Sequence, residues 1–340
     1  MVYSSSSVDS LYRYNISYYF LRRQAIFAGL GVAAMLICMR FNYWNWRRLV
    51  KPIFWVNFLL LVLVLIPGIG VSRADAQRWI DLGFVQFQPS DFTKFAMIIF
   101  SANYLVVKKD YIQNFKRGVL PLLVVAGLAF GLILMQPDLG TGLTMIMTVC
   151  IILFGGGAKI SHLIGLALPL VPAVAALIVF FPYRMQRWLS FLDPWADRAG
   201  SGWQIIQSLL AIGSGSLAGV GLGASRQKFL YLPEPWSDFI FAIICEELGF
   251  IGGAAVIILF LILFWRGFRI AMSAPDLFGQ YLAMGLTTMI AVQASINLGV
   301  VLGTLPVTGI TLPLISYGGT SLVLTLASIG ILLNISRYAP

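Results

Sequence analysis

LPEPWSDFIFAIICEELG, residues 232–249, passes from a polar loop marked by Pro233 and Pro235 straight into an apolar helix. It carries acids at both ends of that junction. Asp238 stands where the chain enters the apolar run, and Glu246 lies eight residues on, roughly 12 Å deeper along a helix axis. Carboxylates are costly at membrane depth and are usually kept there for a task.

The rest of the chain places this junction in a membrane protein. Of 340 residues, 59% are hydrophobic and 11% charged, and the mean hydropathy is +0.88. A soluble domain averages about 25% charged residues. Apolar runs approach the ~20 residues that cross a bilayer as a helix. They fall near 24–39, 52–70, 92–107, 118–135, 141–157, 160–182, 238–264, 278–304 and 310–336, predicting an all-α, polytopic helical bundle with nine visible spans. The runs lack the period-two alternation of strands, so strands are not expected. Cys38, Cys150 and Cys245 fall inside apolar runs and read as small packing residues. His162 is the single histidine, which excludes a multi-histidine metal site and reads as an interfacial side chain.

Charge sets the orientation. Arg40, Arg47, Arg48 and Lys51, then Lys108, Lys109, Lys116 and Arg117, then Arg266 and Arg269 occupy short loops on one side. Short basic loops are cytoplasmic. Asp75, Asp81, Asp91, Asp138, Asp193, Asp197, Glu234 and Asp238 then face outward. The net charge of +10 belongs beside anionic membrane lipid and is no evidence for nucleic-acid binding. One outer loop, residues 183–237, exceeds the others; WQIIQSLLAIGSGSLAGVGLG from Trp203 reads as a re-entrant or interfacial helical segment within it. No separate soluble domain is visible, so residues 1–340 read as one transmembrane domain. The opening MVYSSSSVDSLYRYN has neither an apolar span nor a signal-peptide pattern.

Four motifs lie on the outward side: RWIDLGFVQFQPSDFTK from Arg78, QPDLGTGL from Gln136, KFLYLPEPWSDFIFA from Lys228, and NLGVVLGTLPVTGITLPLISYGGTS from Asn297. Each has an ordinary structural explanation. Ser90 or Asp91 could cap one helix, Asp138 a second and Asp238 a third, and the glycines at 299, 303, 309, 318 and 319 could allow close packing. Broken backbone at membrane depth is nevertheless tolerated only where it is buried or lines a cavity, and several breaks on one side suggest an outward-facing polar cavity.

In this order the motifs resemble the SEDS family (shape, elongation, division and sporulation), whose members include FtsW, RodA and SpoVE. LPEPWSDFIFAIICEELG is similar to the family's LPE-x-x-TDFIFA-x-x-x-EELG, and LPVTGITLPLISYGGTS to its LP-x-TG-x-x-LPF-x-SYGGSS. VYSSSSV and LVLVLIPGIGV look more like FtsW or SpoVE than RodA. Ser237 stands for the usual Thr, Asp91 for Glu and Thr320 for Ser. The family has ten spans, with VYSASS closing the first; here MVYSSSSV begins at that point, which implies a truncated sequence or a misassigned start.

The resemblance implies a peptidoglycan glycan-strand polymerase in the bacterial cytoplasmic membrane. It would act at the outer face on lipid II, an undecaprenyl-pyrophosphate-linked disaccharide pentapeptide, beside a class B penicillin-binding protein. The family's catalytic aspartate falls on Asp238. The expected reaction is one inverting displacement of a lipid pyrophosphate by a sugar 4-hydroxyl. It needs a base for the hydroxyl proton and positive charge for the leaving group. Partial desolvation would raise the pKa of Asp238 and so its basicity. Arg184, Arg187, Arg226 and Lys228 are the candidate cations, with Arg78, Trp79 and Glu234 as further substrate contacts. A divalent ion, Mg or Mn, could share the charge, though no dedicated metal cage is visible. Asp138, Glu246, Glu247, Ser316 and Gly318 read as structural support. Two rivals stand beside this reading: a lipid II flippase or transporter, and a non-catalytic scaffold for division or sporulation.

Overall fold

The computed structural model of the chain describes residues 1–73, 76–81, 83, 86–229 and 231–338, without the side chains of 72, 73, 163, 166, 167, 169–171, 173, 174, 177 and 182–184. Asp75 and the Arg184 side chain therefore lie outside the described residues. The helices are α1 Val2–Tyr14, α2 Tyr19–Arg40, α3 Trp44–Arg48, α4 Val50–Leu63, α5 Pro89–Val107, α6 Leu120–Met135, α7 Leu139–Gly155, α8 Ile160–Val179, α9 Pro182–Leu192, α10 Trp203–Ser214, α11 Ile240–Ser273, α12 Leu277–Val301 and α13 Gly319–Ser336. The chain is a polytopic helical membrane protein. Among the described residues, five helical stretches are long and apolar enough to cross a membrane by length and composition; α4 and α7 are shorter apolar helices.

Two expectations need correction. Strands do occur: β1 Gly70–Arg73, β2 Ala76–Asp81 and β3 Gln86–Phe87 form an antiparallel sheet between α4 and α5. Its register pairs Val71 with Trp79 and Ile80 with Phe87. The apolar run 52–70 thus stops being helical at Leu63, ahead of Pro67 and a left-handed Gly68. Such short strands show too few alternations to register as a pattern. The run 310–336 is helical only over Gly319–Ser336. Pro313 and the left-handed Gly309 keep the preceding segment open.

The chain separates into two units, Met1–Ile26 with Leu166–Ile262 and Gln293–Gly318, and Phe27–Gly165 with Leu263–Val292 and Gly319–Pro340. In the second, α5 packs on α4 and α7, and α6 on α7. Small residues permit the close approaches: a Cβ on Gly285 would meet Ile98 and Ile152, and one on Gly156 would meet Leu105.

The first unit is organised around a break in α11. Gly249 has φ 67° and ψ −167°, a conformation essentially restricted to glycine. The break frees four backbone groups, and the segment after α10 takes all four. Phe250 N donates to Ser216 O (2.9 Å) and Ile251 N to Leu217 O (3.2 Å). In return, Val220 N donates to Glu246 O (3.0 Å) and Gly221 N to Glu247 O (3.1 Å). The expected re-entrant segment is therefore α10 followed by a glycine-rich strip spliced into a neighbouring helix. Backbone contact leaves no room for side chains: a Cβ on Gly215 would lie 1.9 Å from Cys245 O, and one on Gly219 2.2 Å from Glu247 O.

Gly219→Ala and Gly249→Ala should each destabilise the protein by roughly 1–3 kcal/mol from backbone strain alone. Gly131→Ala, whose Cβ would meet nothing within 4 Å, should not. Thermal unfolding in detergent checks this; equal midpoints for all three would contradict the splice.

Candidate functional site

The Asp238 carboxylate is placed by the backbone around it. Asp238 is partly exposed and sits two residues before α11 begins. Two hydrogen bonds tie segment 236–238 to the open stretch between α12 and α13, and Asn297 of α12 bridges the two. Tyr317 N donates to Trp236 O (2.9 Å). Ser316 Oγ donates to Ser237 O (2.6 Å) while accepting from Leu312 N (2.8 Å). Asn297 Nδ2 donates to Asp238 O (2.8 Å) and also to Ile310 O (2.7 Å). The carboxylate itself lies against the left-handed Gly309, where a Cβ would come within 3.5 Å of Oδ2, and Ser237 Oγ donates to Oδ1 (2.9 Å). Glu234 and Leu314 hold left-handed backbone without being glycine, at φ 46° and 66°, the kind of strain that collects at functional sites.

Positive charge reaches the same stretch from α9. Arg187 Nη1 donates to Val307 O at 3.0 Å, so the 307–309 strip meets a guanidinium at one end and the Asp238 carboxylate at the other. Arg226 is exposed, and Glu234 is exposed on the adjoining turn. In the loop between α9 and α10, Asp197 accepts from Ser201 N (2.8 Å), Ser201 Oγ and Gly200 N, and these bonds hold its carboxyl below the usual carboxylate range.

Lys228 is placed differently from the expectation. It is 5% exposed and pairs with Glu247 Oε1 at 3.3 Å, with Gly223 O and Ser4 Oγ as further acceptors. A cation so enclosed supports the fold rather than a leaving group. Glu247 also accepts from Ser4 Oγ of α1 (2.5 Å). Glu246, 1% exposed, accepts from Ser225 Oγ (2.5 Å) and Arg226 N (2.8 Å). Both glutamates thus hold the segment that follows the strip at the α11 break. Gly318 N donates to Gln24 Oε1 (3.4 Å), and Gln24 Nε2 to Ser316 O (3.0 Å).

In the second unit, Asp138 caps α7 by accepting from Thr141 N (3.2 Å), and its other oxygen accepts from Ser90 Oγ (3.0 Å) and Gln88 Nε2 (3.1 Å). Neither Ser90 nor Asp91 caps α5. The cap position is Gln88, and Asp91 forms a buried pair with Lys94 at 2.8 Å. Arg78 donates to Gln136 O (3.2 Å) and Pro137 O, and Trp79 stands in β2 opposite Val71. Arg78 thereby braces the turn before α7. Among the described residues no three His, Cys, Asp or Glu side chains gather as metal ligands.

Sequence reasoning missed Asn297, Gln24 and Ser4 as members of this arrangement. For Asn297 and Gln24 the signal was a carboxamide inside an apolar span, which is costly unless bonded. Ser4 carried none.

The comparisons agree with this architecture. The family model described as cell cycle protein, covering FtsW, RodA and SpoVE, matches residues 1–340. The chain is 52% identical over 339 residues to stage V sporulation protein E of Bacillus subtilis, covering 100% of this chain and 93% of that protein. It is 46% identical over 336 residues to a probable peptidoglycan glycosyltransferase FtsW of Trichlorobacter lovleyi, covering 99% and 88%. Among solved structures, a chain of a peptidoglycan synthase complex that coordinates polymerization and crosslinking is similar at TM-score 0.79 and 32% identity, covering 98% of this chain and 94% of that one. The rod shape determining protein RodA of Thermus thermophilus is similar at TM-score 0.67 and 28% identity, covering 98% and 93%.

Lys228→Ala should cost about 3–5 kcal/mol of stability, because it leaves Glu247 buried without its counter-charge. The paired change Lys228→Met with Glu247→Leu should recover most of that loss in detergent unfolding. A single variant no less stable than the pair would contradict the buried-pair assignment.

Proposed function

The chain belongs to the FtsW/RodA/SpoVE family, and on that premise we propose that it polymerises lipid II into glycan strands at the outer face of the cytoplasmic membrane, in division or sporulation. The observation that carries the reading is the partly exposed Asp238 carboxylate, clamped at the entrance of α11 with the Arg187 guanidinium on the same backbone strip. A lipid-anchored sugar presents its reacting atoms at that level of a membrane.

In the proposed step, Asp238 takes the proton from the 4-hydroxyl of the acceptor sugar. The hydroxyl oxygen bonds to the anomeric carbon of the donor as the bond from that carbon to the lipid pyrophosphate breaks. The bonding pair leaves with the pyrophosphate, and the anomeric configuration inverts. Arg187 and the exposed Arg226 are assigned to the departing charge, for which a guanidinium fork is suited. The basic short loops, including Arg47, Arg48, Lys116 and Arg117, support an orientation with these loops inside and Asp238 outside. A class B penicillin-binding protein is the proposed partner, because a strand polymerase must be matched to a crosslinking enzyme.

Asp238→Asn and Asp238→Ala should lower polymerisation of purified lipid II by about 10²–10⁴-fold, the usual worth of a positioned base, with unfolding midpoints unchanged. Strands made at the normal rate by either variant would overturn the assignment. Lipid II flux in vesicles lacking any polymerase would favour a transporter, and complementation by Asp238→Ala would favour a scaffold.

A further inference from the structure

Asn297 stands one layer behind the proposed base. It is 1% exposed on α12, and its amide meets two carbonyls, Asp238 O at 2.8 Å and Ile310 O at 2.7 Å. Only the NH2 of a carboxamide can donate to both, so these acceptors fix which way the side chain is turned. One of the two carbonyls belongs to the proposed base. The other belongs to the residue after Gly309, which the base's carboxylate faces. A single amide therefore bolts the two sides of the carboxylate's seat together.

The start of α11 shows why the bolt is needed. In a regular helix Asp238 O would accept from Ala242 N. Here Ala242 N donates to Phe239 O instead, at 3.0 Å. Asn297 takes the place of the missing helical donor, and the peptide after Asp238 is held outside the helix. Without that donor, two carbonyls in an apolar setting would be left without this partner, and the segment would gain by winding one residue further into α11. Such a rewinding would swing the carboxylate away from Gly309.

We propose that Asn297 is the positioning residue of Asp238: its two donated hydrogen bonds hold the base in register with the Gly309 strip, without touching substrate. This rests on Asp238 being the base, and the test separates the two ideas. Asn297→Leu keeps the size of the side chain and removes both donors. It should lower kcat for lipid II polymerisation by about 10²-fold, the cost expected of a displacement near 1 Å at a reacting group, while KM stays within about threefold. Asn297→Asp, kept neutral by burial, can donate one bond and should restore part of the rate. That partial rate should fall as pH rises and the new carboxyl ionises, a decline the unaltered protein lacks. Normal kcat in Asn297→Leu, or an Asn297→Asp rate no better than that of Asn297→Leu at every pH, would overturn the proposal. Asp238→Asn run alongside distinguishes the failures. If it is inactive while Asn297→Leu is normal, the positioning role alone falls; if it is active, the base assignment falls first.

Discussion

A membrane-spanning helix cannot be interrupted without a replacement for the bonds it loses, and that constraint shapes the first unit. Each backbone group left unbonded in hydrocarbon costs several kcal/mol. The break at Gly249 releases two amides and two carbonyls, and residues 216–221 supply all four partners. Gly215, Gly219 and Gly249 are small because backbone lies against backbone there. Glu246 and Glu247 then secure the flanks of the strip through Ser225, Arg226 N and Lys228. The acidic pair that looked exceptional in an apolar span is the fastening of this joint.

The proposed base stands just ahead of the helix that carries the joint. Asp238 precedes Gly249 by eleven positions, 238 to 249, and everything between them is nearly or fully buried except Leu248. The second fixed point, the stretch between α12 and α13, is open because its prolines and Gly309 oppose helix, and it is held by Ser316, Asn297 and Gln24. Two irregular segments, tied by these hydrogen bonds, give a carboxylate a fixed seat beside solvent. Preorganisation of this kind lets a polar group act without reorganising during the reaction.

Much of this was legible in residue types. Apolar runs located the helices, and Trp203 followed by a glycine-rich tract marked a segment that is neither ordinary loop nor simple span. The family motifs singled out Asp238 and the EELG acids. What stayed hidden was partner choice. Lys228 and Arg187 are both outer-loop cations by sequence, yet one is enclosed with Glu247 and the other reaches Val307 O. That difference depends on contacts between residues far apart in the chain, which spacing does not encode. The sheet was missed because β3 has two residues, and the open stretch before α13 was taken for span because its average composition is apolar while its prolines and glycines are not helical. Ser90 looked like a cap and instead bonds Asp138, a choice made by the packing of α5 on α7.

The splice also bears on how the chain is made. Residues 216–221 leave the ribosome before residues 246–251, so the strip is delivered ahead of the helix it completes. At the moment α11 enters the bilayer, its interrupted turn has to find a strip already waiting beside it. Biogenesis of this protein should therefore be sensitive to the length and timing of the connection between the two, residues 222–245, more than to the hydrophobicity of α11 alone.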